Sequence, residues 1–223
     1  MNKLGNFLRD IEKKTNSKDS THYFPRGKWH HKDTLLNDET DTHHYKPAEL
    51  LDCHLPEGGT ILEIYSGCCD ITYKVSQLKE YNFGKNGSPK WEIHATDIQA
   101  TDFLTAKRSI DSGINLYDIS INDLIQYDLP EKVDVLMCRH TFGRNDEHFH
   151  GGGSGELEQV IKTNAETEQW MYRNFRYYVA DIGVPGVRAM ERYRQQLNMY
   201  DDNTNNVELI GNVGEFYLVK LNS

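Results

Sequence analysis

The stretch Thr60-Ile61-Leu62-Glu63-Ile64-Tyr65-Ser66-Gly67-Cys68-Cys69-Asp70-Ile71-Thr72 decides how this chain is read. Its first six residues form an apolar run of strand length with one carboxylate inside it. Short apolar runs bounded by turn residues are the pattern of a buried strand. Ser66 and Gly67 break the run, and from Asp70 to Tyr81 the pattern becomes helical. A strand passing through a tight turn into a helix is half of a strand–helix–strand unit, the repeating element of parallel sheets.

The same alternation continues in both directions. Upstream, Pro56-Glu57-Gly58-Gly59 reads as a turn, and Pro47 opens a helix through Leu51, proline being suited to a first helical turn. Residues 1–18 carry Leu4, Phe7, Leu8 and Ile11 at helical spacing and predict an amphipathic helix. Downstream come a loop at Gly84–Pro89, a strand at Trp91–Thr96, a helix from Asp102 to about Ile110, and strands within Ile114–Ile119 and at Val133–Cys138. Glu156–Phe175 reads as a long helix, Tyr177–Ile182 as a strand and Val187–Tyr200 as a helix. Val207–Gly211 and Glu215–Leu221 close as a hairpin. Strands alternating with helices predict a parallel sheet covered on both faces, to which the hairpin adds an antiparallel strand. Ligands of such sheets sit outside the carboxyl ends of the strands, near the switch in strand order.

With 223 residues, one sizeable domain plus an extension is expected. The division falls between residues 1–46, a helix and a lid-like segment rich in His and aromatics, and residues 47–223. No apolar run approaches the roughly 20 residues of a membrane span. The opening MNKLGNFLRDIEKK lacks a signal-peptide core, so the expected location is cytoplasmic, with no membrane partner. A net charge of −9 argues against a general nucleic-acid binder, which needs a basic footprint, but leaves room for a local basic patch. Cys53, Cys68, Cys69 and Cys138 are too few for a disulfide framework, and reduced thiols are expected.

At residues 47–223 the chain resembles the class I S-adenosylmethionine-dependent methyltransferases. The resemblance rests first on Ile61–Thr72, an acidic strand residue (Glu63) followed by a glycine-containing turn into a helix. Such a turn lets backbone approach a cofactor closely. Glu63 and Gly67 match the family pattern, while Tyr65 and Cys69 stand where glycine is usual; Tyr65 either crowds the cofactor or stacks on it. The second element is Asp97 with the adjoining Ile98, at the end of the second strand, where a carboxylate accepts hydrogen bonds from both ribose hydroxyls. Taken alone, Asp97 is an ordinary turn aspartate. The third is Asn122-Asp123, where the family meets the adenine amino group; a solvated loop carboxylate is the other reading. The fourth is the strand Val133–Cys138 and the residues that follow it, Arg139 and His140, placed toward the reacting methyl group.

The resemblance implies an α/β, three-layer Rossmann-like fold with a mostly parallel seven-stranded sheet and a C-terminal antiparallel hairpin strand. It implies S-adenosyl-L-methionine as cofactor, held by Glu63, Tyr65, Ser66, Gly67, Asp97, Ile98, Asn122, Asp123 and Cys138, with Arg139 and His140 as candidate catalytic residues. Histidine as a residue type suits general-base work near neutrality, which makes His140 the candidate, although methyl transfer from a sulfonium needs little beyond in-line positioning.

Two further segments have competing readings. Cys68, Cys69, Cys138 and His140 fall at one sheet edge, and soft ligands suit zinc. With no Cys-x-x-Cys spacing, buried thiols and no metal are expected; the pairs His30-His31 and His43-His44, with His148 and His150, read as solvated polar residues. The glycine cluster Gly151–Gly155 reads as a flexible connector, or as a mobile loop over the site. The basic, aromatic stretch Tyr23–Lys32 is an acceptor-recognising lid, or Phe24 and Trp29 simply pack on the domain.

The expected function is methyl transfer to a small-molecule or protein acceptor. The alternatives are an inactive methyltransferase-like binding or scaffold subunit, and methylation of an RNA end or nucleotide. The Asp/Asn-Pro-Pro-Tyr/Phe segment of amino-methylating nucleic-acid enzymes is missing, and Arg139 stands where the ribose methyltransferases end their fourth strand in aspartate. A nicotinamide oxidoreductase would need G-x-G-x-x-G after the first strand, and none is there. The oligomeric state is open.

Overall fold

Residues 59–64 are extended because Ile61, Leu62 and Ile64 have apolar neighbours on both faces, and all three are fully buried. They belong to a computed structural model that describes residues 3–15, 46–64, 66, 70–77, 90–97, 113–139, 166, 169–181, 207–214 and 216–222. The helices expected at 102–110 and 187–200, the glycine cluster and most of the lid-like segment lie outside these residues.

In chain order the elements are α1 (Lys3–Thr15), α2 (Lys46–His54), β1 (Gly59–Ile64), α3 (Asp70–Gln77), β2 (Trp91–Asp97), β3 (Asn115–Asp118), α4 (Ile121–Leu124), β4 (Val133–Arg139), β5 (Phe175–Asp181), β6 (Val207–Val213) and β7 (Phe216–Leu221). The strands form one seven-stranded sheet in the order β3-β2-β1-β4-β5-β7-β6. The pairs among β1 to β5 are parallel, and β7 runs antiparallel to both β5 and β6. The expected mostly parallel sheet with an antiparallel C-terminal hairpin strand is therefore present. Gly214, at φ 61°, follows Val213, which pairs with Phe216. β6 carries one extra residue, Ile210, between the pairs Leu209–Val219 and Gly211–Leu218.

Two differences from expectation bear on the core and the site. Phe175 is the first residue of β5 and not the last of the preceding helix, which ends at residue 174. Asn122 and Asp123 lie in the short helix α4, not in a loop.

The strands feed two apolar clusters. Leu62, Ile64, Leu136, Tyr178 and Val219 join Leu4, Leu8 and Ile11 of α1 and Trp170 and Met171 of the helix before β5. Ile61, Ile93, Val135, Met137 and Leu218 join Leu50 and Leu51 of α2 and Val75 of α3. The N-terminal amphipathic helix thus contributes to the same core as the sheet.

Candidate functional site

The switch in strand order lies at β1, which has β2 on one side and β4 on the other. Its carboxyl end is where a ligand of such a sheet would sit. The register aligns the candidate residues there. Ile64 pairs with Thr96 and Cys138, Asp97 pairs with Asp118, and Arg139 pairs with Asp181. Glu63, Ser66, Asp97, Cys138 and Arg139 therefore lie along one edge, and α4 with Asn122 and Asp123 begins three residues past the end of β3. Tyr65, Gly67, Cys68, Cys69, Ile98, His140 and the paired histidines lie outside the described residues.

Glu63 is 2% exposed, and a carboxylate so deeply buried needs hydrogen-bond donors. The Thr72 hydroxyl supplies one, donating to Oε2 at 2.6 Å from the first turn of α3. Thr96 links the same turn to β2. Its hydroxyl donates to the Glu63 carbonyl at 3.4 Å, and its own carbonyl accepts the Ser66 amide at 3.2 Å. The Ser66 hydroxyl is buried and has no hydrogen-bond partner among the described residues. Thr72 and Thr96 were not singled out by the sequence; a hydroxyl residue in the first turn of the helix after an acidic strand is the signal available for Thr72.

Asp123 has a local structural task. Its amide donates to Ser120 Oγ at 3.1 Å and its Oδ2 accepts the Ser120 hydroxyl at 2.7 Å, a reciprocal pair that caps α4. Asn122 is exposed, and its carbonyl accepts from Gln126 at 3.2 Å. Among the described residues no group of His, Cys, Asp and Glu is arranged to hold a metal ion, and no helix is long and apolar enough to cross a membrane.

A buried imidazole stands three residues before the end of β2. His94 of β2 has Nδ1 3.0 Å from the Tyr117 hydroxyl and Nε2 3.1 Å from Glu92 Oε1. A carboxylate only accepts, so the neutral ring carries its proton on Nε2 and receives the Tyr117 hydroxyl at Nδ1. Burial lowers the His94 pKa below the ordinary 6.5, outweighing the upward pull of Glu92, and Arg9 pushes the same way as burial. Tyr117, also buried, is pushed up to about 12. The sign of the pH dependence follows. The unfolded chain takes up a proton near 6.5 and the folded chain resists it, so the stability His94 contributes above that pH is lost as pH falls through the folded-state value. In urea titrations at pH 7.5 and pH 5, His94→Gln is expected to lose less stability on acidification than the parent. Equal losses in the two proteins would remove His94 as a source.

No family model and no curated protein matches the sequence. Solved structures do match. A protein of Methanococcus maripaludis assigned as an S-adenosyl-L-methionine-dependent methyltransferase superposes with a TM-score of 0.52 at 14% identity, over 90% of this chain and 97% of its own. PigF, solved with SAH, superposes with a TM-score of 0.50 at 13% identity, over 85% of this chain and 57% of its own.

The fold is that of the class I methyltransferases. Within a methyltransferase fold the β1–α3 turn and the end of β2 are the edge just described, with Glu63, Ser66 and Asp97 on it.

Proposed function

We propose that this chain binds S-adenosyl-L-methionine at the carboxyl edge of β1, β2 and β4 and transfers its methyl group to a small-molecule or protein acceptor. The observation that carries the reading is the Ser66 hydroxyl, buried at the exit of β1 and without a partner among the described residues. A buried polar group left unmatched costs about 1–3 kcal/mol, and a polar ligand seated in the turn would offset that. The acidic end of β2 adds a carboxylate, Asp97, at the distance of one neighbouring strand, suited to a pair of vicinal hydroxyls. The donor set fits the cofactor.

In this reading Glu63 braces the turn, Ser66 bonds to the cofactor with Tyr65 and Gly67 beside it, and Asp97 with Ile98 holds the ribose. Asn122, Asp123 and Cys138 line the adenine side. Arg139 and His140, at the end of β4, position the acceptor, and His140 takes up the proton that an amine or hydroxyl acceptor releases. When bound, the cofactor supplies an electrophilic methyl group on a sulfonium. The protein's part is to hold acceptor and methyl in line and to exclude water.

The finer reading of the architecture belongs here too. Three layers, with helices on both faces of the sheet, are supported by the two apolar clusters, one joined by α1 and the other by α2 and α3. Residues 1–46 form the extension and 47–223 the methyltransferase-like domain, and the cytoplasm is the proposed compartment.

Isothermal titration with S-adenosylhomocysteine tests the proposal. The expected result is a Kd in the micromolar range, weakened roughly 10- to 100-fold in Asp97→Ala, since hydrogen bonds to a charged group contribute about 1.5–3 kcal/mol. A folded protein that takes up no heat of binding overturns it and redirects the search to a protein partner.

A further inference from the structure

The β1–α3 turn is closed by a bond between side chains. Glu63 and Thr72 stand nine residues apart on either side of it, both buried, and the hydroxyl donates to the carboxylate at 2.6 Å. Between them lies Ser66, whose amide is tied to Thr96 and whose hydroxyl has no partner among the described residues. Among the described residues, these bonds tie the two sides of the turn to each other and to β2 and leave the Ser66 hydroxyl over. Resting on the cofactor-binding reading above, we infer that Thr72 is a positioning residue for the cofactor. It acts through Glu63 to hold the turn in the shape that presents the Ser66 hydroxyl.

The physical argument turns on what each group can do without the other. Removing the Thr72 hydroxyl takes a donor from a buried carboxylate, which then draws in water or turns away from α3. Either response moves the start of α3 relative to the end of β1, and the residues between them follow. A side-chain bond bridging a turn also lowers the entropy the turn loses when a ligand orders it, so affinity depends on the bond even where the ligand does not touch it.

Titration with S-adenosylhomocysteine, alongside thermal unfolding, distinguishes this from a general packing role. Thr72→Val keeps the shape and loses the donor; its affinity is expected to fall about tenfold. Thr72→Ser restores the donor with a smaller side chain and is expected to bind within about threefold of the parent, even though it leaves a methyl-sized gap that lowers the melting temperature. Thr72→Ala removes the same donor and provides the test if Thr72→Val does not fold, with the same loss of about tenfold expected. Undiminished affinity in Thr72→Val overturns the inference, as does a loss in Thr72→Ser equal to that in Thr72→Val. If the parent protein itself does not bind, the cofactor reading fails and this inference with it. Binding by the parent and by Thr72→Val alike defeats the inference alone.

Discussion

Trp170→Ala is expected to destabilise the protein by about 3–5 kcal/mol, the usual range for emptying a large aromatic site in a core. Trp170 is fully buried in the helix that leads into β5. Its indole N–H donates to the Tyr127 carbonyl at 2.7 Å, and its ring meets Phe175 edge-on with centroids 5.1 Å apart. Asn174 completes the same junction, donating to the Trp170 carbonyl at 2.8 Å and accepting the Leu129 amide at 2.7 Å. Removing the indole therefore opens a cavity and leaves the Tyr127 carbonyl without its donor. Against a total stability of about 5–15 kcal/mol, such a loss is a large fraction. Urea unfolding is the measurement, and for a chain of this size the melting temperature should drop by roughly 6–20 °C. Trp170→Phe separates the parts, since it fills most of the cavity and loses only the hydrogen bond. A loss below about 1 kcal/mol in Trp170→Ala would falsify the claim that this helix is part of the core.

Gly58→Ala is the second large effect, expected at about 2–5 kcal/mol from two sources. Gly58 has φ 78°, a conformation that costs about 1–2 kcal/mol for a residue with a Cβ. A Cβ there would also run into the backbone carbonyl of Lys90, the same oxygen that accepts the Gly59 amide at 3.0 Å. That bond sets the first rung between β1 and β2, so relieving the clash disturbs the pairing of Gly59 with Trp91. Gly113 provides the comparison. Its φ is 73°, and a Cβ added there meets nothing within 4 Å. Gly113→Ala should show only the conformational part, and the difference between the two variants isolates the collision. Equal destabilisation in both would mean that Lys90 yields without cost.

Much of this architecture was readable from residue patterns because burial on both faces writes itself into composition. TILEIY and VDVLMC are apolar at nearly every position, which only a strand inside a covered sheet tolerates. The helix-to-strand junction at residues 174–175 was not readable. No glycine or proline separates the two elements, and Phe175 is equally at home on an apolar helix face or in a strand. Asn174, the last helical residue, is bonded to Leu129, 45 positions away, which no local pattern shows. α4 escaped for a different reason: four residues are too few to show a period, although Ser120 and Asp123 had capping spacing. The edge that gathers Glu63, Asp97 and Arg139 follows from the alternation of elements alone. The bonds that shape it, Thr72 to Glu63 and Ser66 to Thr96, join residues 9 and 30 positions apart, and no local pattern encodes them.

The strand order has a bearing on how the chain is made. β7 is the last of the seven strands in sequence, yet it lies inside the sheet, between β5 and β6. Until residues 216–221 leave the ribosome, the outer rim of β5, from Tyr177 to Asp181, lacks its neighbour, and β6 has nothing to pair with on that side. At a synthesis rate of about 5–20 residues per second, that rim stays open for a few seconds after β5 emerges. Unpaired strand rims are where nascent chains stick to one another. The nascent protein is thus most in need of a chaperone over the stretch between β5 and β7, and a stop codon anywhere in that stretch would release a product whose sheet cannot be completed.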